Sequence, residues 1–358
     1  MPHCAYFSST NLLNFYVKTI MQNKCLLAAL ATCFSVNVAA GTPAPAPAPA
    51  EPPVIVIKFS HVVAMDAPKG QAAERFKATA EKLTKGRVRV EVYPMSTLVK
   101  GDDELKALQA NTVQMLAPSL ATFGPIGVTD FEVFDLPYIF KNKESLYAVT
   151  EGPIGKSMLA KLDDKGIVGL AYWDNGFKVM TSNKPIRTPA DFKGQKMRAQ
   201  ASKVIDAQFV ALGATPVKMN FTDSYAGMKS GVIDGSENAP SNVYTQKMDL
   251  VQKNVTYTNH AYAGYAVVAN KKFWDGLPPD IRAFLVTALR DATNYEKVIA
   301  GLDNDRSTDA MKKAGRTALY VPTAAEDAAF RKAMLPVQQQ MEERVGKGLI
   351  DSINKAAR

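Results

Sequence analysis

The sequence predicts an α/β chain folded as two lobes with long C-terminal helices. Three observations predict it. At 358 residues, 47% of them hydrophobic and 22% charged, the chain has an ordinary globular balance but too much length for one small domain. Short apolar runs of strand character alternate with stretches of helical periodicity. Residues 194–240 condense that alternation into a β-α-β-α-β run, the unit of an open sheet whose ligands sit where strands end.

Taken in order, residues 1–40 read as an N-terminal extension and export leader, with the start at Met1 or Met21. Asn23-Lys24 supply a short positive segment, residues 26–38 an apolar segment, and Val38-Ala39-Ala40 a small-residue cleavage site. The apolar run is too short and interrupted to span a membrane, so the mature chain is expected without membrane insertion. Cys4, Cys25 and Cys33 are the only cysteines, and cleavage near Ala40 removes all of them. The Ala-Pro alternation of residues 41–53 is a semi-extended linker that buries no core.

Residues 54–59 form an apolar strand. Residues 68–85 form a helix, with Pro68 in its first turn and Ala72, Phe76, Ala80 and Leu83 on one face. Residues 87–92 alternate strictly and give a second strand. A helix over 102–109, a strand over 114–116 and a buried strand over 167–173 follow. The chain is expected to change lobes near Trp173 and to return near Tyr265. The lobes are therefore discontinuous: 54–176 with 265–300, and 177–264 with 301–358. In the second, a strand ends at Met197, Arg198 and Ala199. A helix repeats through Ile205, Phe209 and Leu212, residues 215–219 extend again, a short helix passes Tyr225 and Met228, and a third strand falls at Val232-Ile233. From Pro278 a long helix runs to about Ala314, and another starts at Ala324 with a break at Pro336.

Several chemistries are absent from this pattern. Gly152 and Gly155 ahead of Lys156-Ser157 lack the spacing of a phosphate loop and read as a helix start. Asp303, Asp305 and Ser307 resemble a calcium loop, but Thr308 and Ala314 occupy its glycine and terminal acidic positions. Only His61 and His260 survive the leader, in no zinc spacing, and no nucleophile elbow is present. Neither a cofactor, a metal nor catalysis is expected. Losing Lys18 and Lys24 leaves 41 basic against 34 acidic side chains, a net of +7 that is dispersed, which argues against nucleic acid.

Four ordered motifs fall in 194–240: Met197-Arg198, the Ala-Leu-Gly-Ala turn at 211–214, Phe221 through Tyr225 as Phe-Thr-Asp-Ser-Tyr, and Asp-Gly-Ser-Glu-Asn at 234–238. Together with 59–76, 172–194 and 265–282 they resemble the solute-binding proteins of TRAP transporters, tripartite ATP-independent periplasmic systems, and within them the C4-dicarboxylate-binding, DctP-type branch. The likeness covers roughly 54–295. It departs at Ala67, where Thr is usual, and at Ala239-Pro240, where Pro-Pro is usual. The resemblance implies a type II-like periplasmic binding protein fold with a hinge and C-terminal helices bracing both lobes. It further implies a periplasmic monomer that captures a C4-dicarboxylate and hands it to the TRAP membrane permease subunits. A monocarboxylate or sugar acid is the alternative ligand, and a secreted α/β enzyme the alternative class.

A dicarboxylate needs donors at both ends. By resemblance Arg198 clamps one carboxylate, since a guanidinium offers two parallel hydrogen bonds and stays charged. Lys178 and Asn238 add donors from the same lobe. Lys69 and His61 are candidates for the other end, with Trp173 and Phe221 drying the cavity and Asn175 beside it. Each has a plainer role open to it: a structural ion pair for Arg198, solvation for Lys69 and Lys178, a hydrogen-bonded core position for His61, core packing for Trp173 and Phe221, a turn for Asn175, a backbone cap for Asn238.

Overall fold

The computed structural model describes residues 53–356. The expected leader, its cleavage near Ala40, the cysteines and the linker up to Pro52 lie outside the described residues. Within them the first lobe opens with β1 (Ile55–Ser60), α1 (Pro68–Leu83) and β2 (Val88–Tyr93), then α2 (Glu104–Gln109), β3 (Met115–Leu116), α3 (Lys143–Thr150), α4 (Pro153–Ala160) and β4 (Ile167–Phe177). The second lobe takes over with β5 (Val179–Ser182), β6 (Lys196–Ala199), α5 (Lys203–Ala211), β7 (Thr215–Lys218), α6 (Ser224–Ser230), β8 (Gly235–Asn238), α7 (Pro240–Thr245) and β9 (Asn254–Thr256). The chain then returns through β10 (Tyr262–Asn270), α8 (Lys271–Asp275) and α9 (Pro279–Ala314), and finishes with β11 (Ala318–Tyr320), α10 (Ala324–Met334), α11 (Pro336–Gln340), α12 (Glu342–Val345) and α13 (Lys347–Ala356).

Two sheets result, ordered β2-β1-β3-β10-β4 and β11-β9-β5-β8-β6-β7. β1 lies parallel to β2 and β3, while β10 runs antiparallel to β3 and β4. In the second sheet β6 is parallel to β7 and β8, and β5 antiparallel to β8 and β9. Each sheet is buried on both faces. Leu116, Ala266 and Val268 point into one core of the first lobe; their neighbours Met115, Val267 and Ala269 point into another, where Phe59 meets Phe76 edge-on and stacks on Trp173, both at 5.9 Å. Burying each such aromatic contributes about 1.5–3 kcal/mol. Met180 and Val179 divide the second lobe's two cores in the same way.

Four connections tie the lobes. The chain crosses at Lys178, between β4 and β5, and again over residues 257–261, and these crossings are joined where Lys178 N–H donates to the Ala261 carbonyl at 2.9 Å. The 36-residue helix α9, about 54 Å long at 1.5 Å per residue, packs Leu285, Ala288 and Ala292 into the first lobe and Met311 into the second. Finally, α10 sends Phe330 and Met334 into the second lobe, while Val337, Val345, Ile350 and Ile353 beyond it join the first.

Two sequence expectations are corrected. Trp173 is not at the crossing but inside β4, and Tyr265 lies inside β10 rather than at the return. Asp174, Asn175 and Gly176 resemble a turn, yet they continue the strand because α9 and neighbouring side chains meet their polar groups: Asp174 N–H donates to Glu296, and Asn304 donates to the Asn175 carbonyl. Likewise the third strand of the 194–240 run is Gly235–Asn238, not Val232-Ile233; Val232 is exposed. Its polar sequence suits a central strand only because every side chain finds a buried partner, as Thr181 does for Ser236.

Gly235 is required there. A Cβ would stand 2.0 Å from the Thr181 carbonyl oxygen on the neighbouring strand. Gly235→Ala should destabilise the protein by about 1–3 kcal/mol, the usual cost of overpacking, read as a lower urea midpoint than wild type; an unchanged midpoint would contradict this packing.

Candidate functional site

Strand ends from both sheets converge on one cavity of about 370 Å³. The first lobe contributes Val62 and Val63 after β1, Asp102 and Glu104 at the start of α2, and Ser119 after β3; the second contributes Arg198 and Gln200 at the end of β6, Asn220 and Phe221, and Asn238 at the end of β8. Tyr265 closes the back. Two hydrogen bonds cross the mouth: Ser119 Oγ to Gln200 Oε1 at 2.7 Å, and Asp102 N–H to Asn220 Oδ1 at 3.0 Å.

Arg198 dominates this wall. It is 4% exposed, its Nε donates to the Met219 carbonyl at 3.0 Å, and its guanidinium lies 5.7 Å from the centre of the Phe221 ring. Among the described residues no carboxylate pairs with it and no acceptor meets its Nη groups. Burial pulls it down to about 10, against the pull of Glu237 and Asp102, so it remains a cation at neutral pH. A buried cation with free donors facing a cavity is a receptor for an anion.

A chain of amides and one phenol fixes the back wall. Asn242 Nδ2 donates to Asn238 Oδ1 at 2.8 Å and to the Tyr265 hydroxyl at 3.0 Å, and that hydroxyl also accepts from Asn175 Nδ2 at 2.9 Å. The Asn238 oxygen accepts the Ala239 N–H as well, leaving its Nδ2 without a protein partner among the described residues. Behind Tyr265, Lys69 Nζ donates to the Ala117 carbonyl at 2.8 Å and lies 3.7 Å above the phenol ring. Burial lowers Lys69 to about 8, with Glu104 and Glu296 pulling it back. Burial raises Glu104 to about 7 despite Lys69.

Of the eight residues singled out in the sequence, Arg198, Phe221 and Asn238 reach the cavity wall. The other five stand behind it. Lys69 offers no donor within the cavity, its ammonium being held by the Ala117 carbonyl and the Tyr265 ring. Lys178 is corrected from a ligand donor to a structural cation: its Nζ donates to Asp135 Oδ1 at 2.9 Å and Glu237 Oε1 at 2.6 Å. Burial alone would lower it, but these two carboxylates hold it above its ordinary value. Glu237 also meets His260 Nε2 at 2.8 Å, and although burial opposes ionisation, Lys178 and His260 hold its carboxyl at about 2. His61 is wholly buried, with both ring nitrogens unpartnered among the described residues, and burial followed by Lys69 pushes it down to about 3, so it is a neutral core side chain. Trp173 packs on Phe59 and donates to Thr293. Asn175 orients Tyr265 instead of facing the cavity.

Glu104, Gln200, Asn242 and Tyr265 were missed. Asn242 lies in the first turn of α7, just past the Asp-Gly-Ser-Glu-Asn motif that ends in Asn238, and that proximity was the one signal it carried.

The description "bacterial extracellular solute-binding protein, family 7" fits a family model matched over residues 59–344. The C4-dicarboxylate-binding periplasmic protein DctP of Rhodobacter capsulatus is 52% identical over 94% of this chain and 99% of its own. A TRAP periplasmic solute-binding protein from Sulfurospirillum deleyianum, solved with bound succinate, superposes with a TM-score of 0.83 at 38% identity, covering 86% of this chain and 100% of that one. Its counterpart from Pseudomonas aeruginosa, solved with bound L-malate, gives 0.77 at 39%, covering 80% and 99%.

Removing Lys178 would leave Asp135 and Glu237 buried without their shared cation. Lys178→Met should cost about 3–5 kcal/mol by chemical denaturation, the scale of breaking a buried pair. The sign in pH follows from Glu237: its folded value lies below the ordinary carboxyl value of 4.5, so its stabilisation is present above that value and is lost as pH falls toward 2. Wild type should therefore lose its advantage over the variant across that acid range; a constant difference would contradict the assignment.

Proposed function

The chain belongs to the bacterial extracellular solute-binding proteins of family 7, and from that premise we propose that it captures a C4-dicarboxylate between its lobes and delivers it to the membrane permease of a TRAP transporter. The observation that carries the proposal is Arg198, a buried guanidinium without a carboxylate partner among the described residues, facing a cavity of about 370 Å³. That volume lies near the small end of ligand pockets and suits a short acid. The acids bound in the two solved relatives, succinate and L-malate, fall in the same class.

Binding without turnover fits the arrangement. The cavity offers an anion clamp, amide donors and an apolar ring, and the nearby histidines, His61 and His260, are held behind its wall by burial or a carboxylate. Lobe closure follows from the two hydrogen bonds that cross the mouth, because ligand bridging both walls favours the form in which they exist. Among the described residues no helix is long and apolar enough to cross a membrane. The leader of the sequence would carry the chain to the periplasm as a monomer, and mass spectrometry of exported protein should find a start near Gly41; an intact leader on soluble protein would contradict export by cleavage.

Calorimetric titration with succinate, butyrate and galactonate tests the ligand class. Succinate should bind tightest, and Arg198→Lys should weaken it by about ten- to a hundredfold, since lysine keeps the charge but loses the second parallel hydrogen bond worth about 1.5–3 kcal/mol. Preference for butyrate or galactonate would overturn the C4-dicarboxylate assignment, and wild-type affinity in the variant would overturn the clamp.

A further inference from the structure

Glu104 is out of place in a site for an anion. It lies at the cavity wall, 2% exposed, and its Oε1 is fully buried with no hydrogen-bond partner. Neither carboxylate oxygen accepts a hydrogen bond or joins an ion pair among the described residues. Lys69, the nearest influence on its charge, spends its hydrogen bond on the Ala117 carbonyl and forms no ion pair with it. An ionised Glu104 beside a dianion would leave an unpaired buried negative charge, whose desolvation costs several kcal/mol. Charge balance points the other way: the buried cations Arg198 and Lys69 match a dicarboxylate only if Glu104 is neutral.

Resting on the ligand class proposed above, we propose that Glu104 is a binding residue carried as the neutral acid in the complex, donating its proton in a hydrogen bond to the ligand, so that binding takes up one proton from solvent. The proton goes to a Glu104 carboxylate oxygen; no covalent bond to the ligand forms or breaks. The groups around it are compatible. Lys69 on α1 and Tyr265 on β10 stand behind it, β3 contributes no titratable side chain, and Arg198, Asp102, Lys203 and Lys218 surround the shared cavity. Of these only Lys69 acts on Glu104, and it favours the ionised form in the free protein, where burial nonetheless keeps the carboxyl near 7. Ligand negative charge would raise it further. Free protein at neutral pH thus holds Glu104 part ionised, and complex formation completes its protonation.

The test is titration of the full chain with succinate between pH 6 and 8, and at pH 7.5 in buffers of different ionisation enthalpy. Wild type should lose affinity about ten- to twentyfold over that range and take up roughly half a proton or more at pH 7.5. Glu104→Gln keeps a donor but cannot titrate, so its affinity should fall only about twofold, the share left to Lys69, with uptake under about a quarter of a proton. The ligand's own titration is common to both proteins. No proton uptake by wild type, the same pH fall in the variant, or a folded variant that binds succinate at no pH would each overturn the inference. If the variant does not fold, the wild-type buffer comparison decides alone. Succinate bound without proton uptake sinks this inference and leaves the ligand class standing; no binding of succinate sinks the ligand class, and this inference with it.

Discussion

Burying Arg198 without a carboxylate partner among the described residues costs desolvation energy that hydrogen bonding to one backbone carbonyl offsets only in part. The surrounding structure holds it in that state. β6 is paired on both sides, by β8 and β7, and Met219 holds the Arg198 Nε while the Phe221 ring lies beside its guanidinium. An anion entering the cavity meets a cation already dehydrated and aimed. The entropy of ordering that side chain is spent on folding, so it does not have to be spent again on binding.

A second set of buried charges does opposite work. Asp135, Lys178, Glu237 and His260 are linked in one chain of contacts at the crossing between the sheets, around the residue where the chain changes lobes. Glu237 is the residue just before Asn238, so the strand that carries a cavity donor is anchored by its neighbour's ion pair. One strand, β8, thereby serves both purposes, its alternating side chains Glu237 and Asn238 pointing to the network and to the cavity.

How far these features were legible in the sequence depends on whether their cause is local. Helical periodicity and strand alternation are local, so α1, β2, α5 and α9 stood within a few residues of expectation. Arg198, Phe221 and Asn238 were legible because family motifs carry them. Lys178 was misread because its partners lie 43 and 59 residues away, and nothing near it in sequence distinguishes a buried lysine from a solvated one. β8 was misread because Gly-Ser-Glu-Asn has loop composition, and only tertiary partners make it a buried strand. Glu104, in a Gly-Asp-Asp-Glu run, looks like the solvated acidic first turn of a helix; its burial comes from a lobe assembled by distant segments.

The central claim is that an organic anion binds at the Arg198 guanidinium between the lobes. A crystal structure of the protein with succinate addresses it directly. One succinate carboxylate should lie within hydrogen-bond distance of both Arg198 Nη groups, with the mouth closed over it by Ser119–Gln200 and Asp102–Asn220. Succinate bound with neither carboxylate touching Arg198 would contradict the account.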